Sequence, residues 1–265
     1  MESVNLVMFD RYIGIDYSGA KSSGARLPGL RVYAADRAES PSEVRPSAKA
    51  SVHWTRHGIA DWLCEQLDRD VAALIGVDHG FSFPRAYFEL HGLPRDWPAF
   101  LDDVHEHWPT DRPDVTVDDV RRGRVGNGPA RAGDARWRRL TEQRTGGAKS
   151  VFHFDVPGSV AKSTHAGLPW LAVVRRRCAD RLHVWPFEGW DVPAGRSAIA
   201  EVYPSLWRDA YTRGDRTDDQ HDAFVVAARL RDADLDGSLG RLLRPVLSED
   251  ETETARIEGW ILGVT

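Results

Sequence analysis

The sequence predicts an α/β fold: a mixed sheet of three antiparallel strands followed by parallel ones, flanked by helices and carrying a basic insertion. Three observations predict it. Short β-rich runs open the chain at close intervals, a helical repeat then leads directly into a fully apolar run, and an alanine-rich helix follows near the end.

The first run is Tyr12-Ile13-Gly14-Ile15-Asp16, stopped by Tyr17-Ser18-Gly19 as a buried strand ending in a turn. Leu30 to Ala35 and Ala50 to Thr55 repeat the pattern, and the short loops between the three imply an antiparallel meander. Ile59, Trp62, Leu63 and Leu67 recur at helical spacing before Ala72-Ala73-Leu74-Ile75-Gly76-Val77-Asp78. A helix entering a buried strand suggests parallel addition to the sheet. Ala86 to His91 and Trp97 to His107 are further helices. The Pro-, Asp- and Arg-rich stretch after them has little apolar period and reads as an inserted helical or loop segment at about 92–150 in a single domain spanning 1–265. Ser159 to Arg177 reads as a helix with Ser159 as N-cap, and Pro169 marks a place where it is expected to weaken or break. Leu182 to Trp185 and Ala198 to Val202 are strand candidates, and Asp218 to Leu230 is a helix with Ala223, Val226, Ala227 and Leu230 on one face. Ser248 to Glu258 reads as an acidic first turn of a last helix. This order is that of a ribonuclease-H-like sheet, whereas a doubly wound nucleotide fold would alternate strand and helix from the start.

Composition narrows the class. With 42% hydrophobic and 28% charged residues the chain is globular. Its start has no cationic segment and its apolar stretches are far shorter than the roughly 20 residues of a bilayer span. These features argue against membrane insertion and secretion, and Cys64 and Cys178 are too few for a disulfide framework, so a reducing cytoplasm is the expected location. The net charge of -5 gives no global attraction to nucleic acid. Arg121 to Lys149, however, holds nine basic residues against Asp134 and Glu142, with Trp137 among them. That stretch has the charge and the stacking ring of a nucleic-acid contact, although such a loop is as often merely solvated.

Asp16 and Asp78 each end an apolar strand, so in neighbouring parallel strands their carboxylates lie side by side, and Glu201 resembles a third strand end. An aspartate after one strand is usually a turn former. Several carboxylates at one sheet edge repel one another unless a cation neutralises them, which points to a hard, oxygen-preferring ion, Mg2+ or Mn2+. Asp219 and Asp222 share one helix face, and either could supply the last ligand. The expected metal set is Asp16, Asp78, Glu201 and Asp222.

Tyr12-Ile-Gly-Ile-Asp-Tyr-Ser-Gly-Ala-Lys21, Gly76-Val-Asp-His-Gly-Phe-Ser-Phe-Pro84, Ala200-Glu-Val-Tyr-Pro204 and Asp219-Gln-His-Asp-Ala-Phe-Val-Val-Ala-Ala228 resemble the blocks of a domain-of-unknown-function family of predicted ribonuclease-H-like nucleases. The last block is also similar to the closing helix of RuvC-type resolvases. The resemblance spans nearly the whole chain and implies a metal-dependent nuclease, although Asp78 stands in a histidine-glycine context unusual for the family.

In such a site the four acids act as ligands for in-line displacement at a phosphodiester. Lys21, Lys149 and Lys162 are candidate phosphate contacts, and His79 and His221 candidate proton carriers, with solvated lysines and hydrogen-bonded histidines as the plain alternatives. His105-Glu106-His107 alternates around a helix and reads as surface. A rival reading takes Asp16-Tyr-Ser-Gly and Asp78-His-Gly-Phe-Ser82 as the two phosphate loops of an actin-like or sugar-kinase-like phosphotransferase, which would need a second copy of the fold. A noncatalytic binding module is the other rival. Trp97, Trp108, Trp185 and Trp190 raise the question of a homo-oligomer, which core burial answers equally well.

Overall fold

Alternation along the first strand decides the architecture. In the computed structural model, which describes residues 8–47, 52–156 and 158–265, β1 (Arg11–Asp16) sends Ile13 and Ile15 to one face and Tyr12 and Gly14 to the other. It pairs antiparallel with β2 (Arg31–Asp36), which pairs antiparallel with β3 (Ser42–Glu43). On its other edge it runs parallel to β4 (Ala73–Asp78). Beyond β4 lie β6 (Ser197–Glu201) and, at the edge, β5 (Leu182–Val184), both parallel. The described residues thus form one mixed sheet in the order β3-β2-β1-β4-β6-β5.

Helices cover both faces. Ile13, Ile15, Ile75, Val77 and Ile199 pack under α1 (Arg56–Leu67) and α6 (Ala161–Cys178). Tyr12, Leu74, Ala198 and Ala200 pack under α7 (Asp218–Leu235) through Val226 and Leu230. Gly14 and Gly76 are register partners, and α7 lies directly on them: a Cβ at Gly14 would stand 2.2 Å from the Ala223 carbonyl oxygen, and one at Gly76 2.6 Å from Val226. No side chain fits there, so the glycine pair sets how close α7 comes to the sheet. A capping box of Thr217 and Gln220 starts α7 where Asp218 and Asp219 meet its positive end.

Two expectations need correction. The third strand is Ser42–Glu43, not Ala50 to Thr55: Ala50 and Ser51 lie outside the described residues, Val52 to Trp54 form no strand, and Thr55 caps α1 by accepting from the Gly58 N–H at 2.9 Å. The strand is too short and polar to show alternation, and Glu43 is held instead by Arg31 at 3.0 Å. Helix α6 runs unbroken through Pro169; Val160 occupies the N-cap position without a side-chain bond, and the Ser159 hydroxyl accepts from the first helical N–H, that of Ala161, at 3.2 Å. Proline removes the N–H that would bond the carbonyl of His165, and the Thr110 hydroxyl donates to that oxygen at 2.8 Å in its place. The segment expected to be helical or loop at about 92–150 is helical in part. It folds into α3 (Trp97–His107), α4 (Val117–Arg121), a 3-10 turn (Gly128–Arg131) and α5 (Leu140–Thr145), and Phe100, Val104, Val117 and Val120 are core residues.

Among the remaining elements, α2 (Arg85–His91) follows β4, and α8 (Leu239–Leu243) and α9 (Glu249–Glu258) close the chain, α9 with Ser248 and Glu251 in a capping box. Trp97, Trp108 and Trp185 are buried within the chain and Trp190 packs edge-on to Trp185, so these rings do not call for a partner subunit. No described helix is long and apolar enough to cross a membrane.

Candidate active site

The parallel register places Asp16 opposite Asp78, as expected of two strands ending together. Asp16, Asp78, Glu201 and Asp222 all line one cleft of about 400 Å³ at the ends of β1, β4 and β6. Arg139, Lys149, Ser163, Tyr203 and Arg208 share its walls.

The four acids do different things there. Asp16 and Asp78 fall on the α7 face of the sheet, two residues beyond Gly14 and Gly76. Among the described residues none donates a hydrogen bond to either carboxylate. Burial pushes the Asp78 carboxyl up to about 8, helped by the charges of Asp222 and Glu201. Burial, then Asp78, Asp219 and Asp222, raise Asp16 well above the usual carboxylate range. Asp222, on α7, is held bidentately by Arg208: Nε donates to Oδ1 at 2.7 Å and Nη2 to Oδ2. Asp219 stands beside Gly29 and does not line the cleft, yet its charge acts on Asp16 as that of Asp222 does, so α7 brings both acids near the pair and only Asp222 of the two into the cleft.

Glu201 departs most from expectation. Its register partner is Val77, one residue short of Asp78, so alternation turns its side chain away from the α7 face. Both oxygens are taken by Arg139, with Nη2 to Oε1 at 2.5 Å and Nη1 to Oε2 at 2.7 Å, and the Phe81 N–H donates to Oε2 at 3.0 Å. Arg139 also donates to Glu142 at 2.9 Å, and its side chain is 1% exposed. Burial disfavours the charge on Arg139, but Glu201 and Glu142 outweigh it and stabilise the guanidinium. Glu258 closes the wall by accepting from the Arg85 and Leu140 N–H groups at 2.6 Å each. Glu201 therefore anchors the cleft wall through a buried ion network.

The cationic candidates also separate. Lys149 lines the cleft; Lys162 is paired with Asp118 at 2.6 Å; Lys21 is exposed away from the cleft, its carbonyl held by buried Arg56. Most of the basic stretch is neutralised internally: Arg121 by Asp155, Arg124 by Asp119, Arg131 by Asp103, Arg136 by Asp134 and Arg144 by Glu251, while Arg138 binds backbone carbonyls. Trp137 is partly buried against the core. His79 lies under α6 between Tyr17 and Phe81, and burial lowers its pKa to about 4, leaving a neutral packing residue at neutral pH. His221 bonds the Arg208 carbonyl at 3.3 Å. His105 and His107 pair with Asp111 and Asp103 at the surface.

Gly19 and Gly80, the glycines of the two candidate phosphate loops, are closed off. A Cβ at Gly19 would stand 2.0 Å from the Lys162 carbonyl oxygen, and the Gly80 N–H already donates to Thr164 at 2.9 Å. Arg208 and Arg139 are the site residues that sequence reasoning missed. Their signal is indirect: acids drawn together need a positive partner, and Arg208 follows the third strand end by only seven positions.

No three His, Cys, Asp or Glu side chains among the described residues are gathered as a ready metal site. Asp16 and Asp78 are a half-buried pair whose all-oxygen donors accept no hydrogen bond from the described residues and so fit a hard divalent cation, with Asp222 beside them held by Arg208. The pair predicts a pH effect. A carboxyl raised from 3.8 to about 8 binds more protons folded than unfolded, so the contribution of Asp78 to stability is most favourable below about pH 4 and is lost as pH rises toward about 8. Calorimetric melting across that window is expected to show Asp78→Asn gaining stability relative to wild type as pH rises; parallel profiles would refute the shift. Comparison of the chain with known protein families, with characterised proteins and with solved structures finds no match.

Proposed function

We propose that the chain is a divalent-metal-dependent phosphodiester hydrolase of ribonuclease-H-like architecture, a nuclease. The observation that carries this reading is the Asp16–Asp78 pair: two register-matched, half-buried carboxylates that accept no hydrogen bond from any described residue and open on a cleft also lined by Arg139, Lys149 and Arg208. The strand order, with an antiparallel β1-β2-β3 meander and parallel β4 and β6 added on the other side, supports the architecture. Mg2+ or Mn2+ would be held by Asp16 and Asp78, with Asp222 as the third donor, and would supply Lewis-acid stabilisation of a displacement at phosphorus. The chain's own part is to fix these donors on rigid strand ends and on α7. Lys149 and Arg208 draw a phosphate into the cleft, and the Arg139 network keeps the opposite wall in place. The internal pairing of the Arg121 to Lys149 stretch directs the expected nucleic-acid contact to the cleft itself.

Calorimetric titration with Mn2+ of wild type and Asp16→Asn tests the metal. Wild type is expected to bind and the variant to lose at least tenfold in affinity. Incubation with Mn2+ and single-stranded, duplex and branched DNA, RNA and RNA–DNA hybrid tests the chemistry; survival of every substrate would defeat the hydrolase reading. Binding of a nonhydrolysable ATP analogue would favour a phosphotransferase instead.

A further inference from the structure

Asp222 is the acid that both the sequence and the cleft nominate as third donor, yet its two oxygens are already occupied by Arg208. That guanidinium is the positive charge acting on the whole acid group: it opposes the mutual repulsion felt at both Asp16 and Asp78. Arg139, the other arginine lining the cleft, is committed to Glu201 and Glu142. Arg208 differs from Arg139 in its freedom. Its side chain is 40% exposed, against 1% for Arg139, and it rides on a single 3-10 turn, Arg208–Ala210, that follows β6 along the cleft rim. Its anchoring is local, through its carbonyl to His221 and through Trp207, whose ring packs against Gly263.

We propose that Arg208 is an exchangeable counter-ion of this site: it neutralises Asp222 in the metal-free protein, is displaced when a divalent cation takes that carboxylate, and then receives a phosphate group of the substrate. The inference rests on the metal-dependent reading above and adds to it an order of events, metal first and phosphate second. The physical basis is competition for one carboxylate. A guanidinium fork across both oxygens of Asp222 fills the face a dication would use for bidentate binding, and the two positive charges repel at that distance. A freed guanidinium on the rim has the planar donor pair suited to a phosphate's oxygens. Coupling of this kind is reciprocal, so whatever removes Arg208 from Asp222 must raise metal affinity by the factor that metal raises its release.

The test uses Mn2+ and inorganic phosphate as probes, by titration calorimetry of the full chain. Arg208→Gln is expected to bind Mn2+ at least tenfold more tightly than wild type. Phosphate is expected to bind wild type measurably only when Mn2+ is present, and at least tenfold more weakly to Mn2+-loaded Arg208→Gln. Arg208→Lys, which keeps the charge without the fork, should fall between the two and stands in if the glutamine variant does not fold. Mn2+ affinity unchanged or weakened in these variants, with wild type still binding, overturns the exchange while leaving the metal reading intact. Mn2+ binding by neither wild type nor variant overturns both. Phosphate affinity indifferent to the substitution removes the second step and with it the proposal.

Discussion

Arg139→Met is expected to destabilise the protein by about 3–5 kcal/mol, because it leaves Glu201 and Glu142 buried without their cation. The ion network lies in the wall between α5, α9 and the end of β6, where Arg139 also donates to the Glu258 carbonyl at 3.2 Å. Both acids border the cleft but are almost wholly covered, Glu142 and Glu201 having side chains 1% and 4% exposed. Arg139→Lys should rescue little, since one ammonium cannot span two carboxylates and a carbonyl as the fork does. The double variant Arg139→Met with Glu201→Gln should recover part of the loss by removing one of the stranded charges. Urea denaturation of the three variants measures this. A loss for Arg139→Met under about 1 kcal/mol, the range of surface pairs, would show that the network is solvated in solution.

Gly14→Val is expected to cost about 3 kcal/mol and to disturb the site as well as the fold. The added Cβ meets backbone on α7, the Ala223 oxygen at 2.2 Å and the Ala227 nitrogen at 2.6 Å, which no rotamer change relieves. Either β1 or the helix must move, and Asp222 is the residue immediately before Ala223. The variant should therefore lose Mn2+ affinity even under conditions where it remains folded by circular dichroism. By contrast, Gly24→Ala, where a Cβ meets nothing within 4 Å, should leave both properties unchanged. If Gly14→Val melts and binds like wild type, α7 is not seated on the glycine pair.

These two variants also show how far the sequence could be read. β1, β4, α1 and α7 were legible because their apolar periods are long and unbroken, and the pairing of Asp16 with Asp78 followed from two strands ending at aspartates. Glu201 was legible as a strand end but not as a wall residue. Its facing depends on a one-residue offset in register against β4, and period-2 alternation turns that offset into the opposite face of the sheet. Arg139 stood in a stretch whose summed charge suggested an open basic surface. Summed charge cannot show that the partners lie far away, Asp103 for Arg131, Asp155 for Arg121 and Glu251 for Arg144. Arg208 was overlooked for a related reason, since a lone arginine after a strand has no pattern of its own. The edge strand Ser42–Glu43 is two residues long, below the length at which alternation carries information.

The Thr110 hydroxyl that stands in for a missing backbone donor ties two distant positions into one unit of inheritance. A proline at 169 leaves the His165 carbonyl without its helical donor, and a side chain at 110 that donates to it offsets that loss, so a change at one position alters the cost of a change at the other. For the same reason the segment between α3 and α4 cannot be trimmed or exchanged as a cassette. Excising it would strand a carbonyl in the middle of α6, the helix that packs over His79 and, at its first turns, borders the cleft.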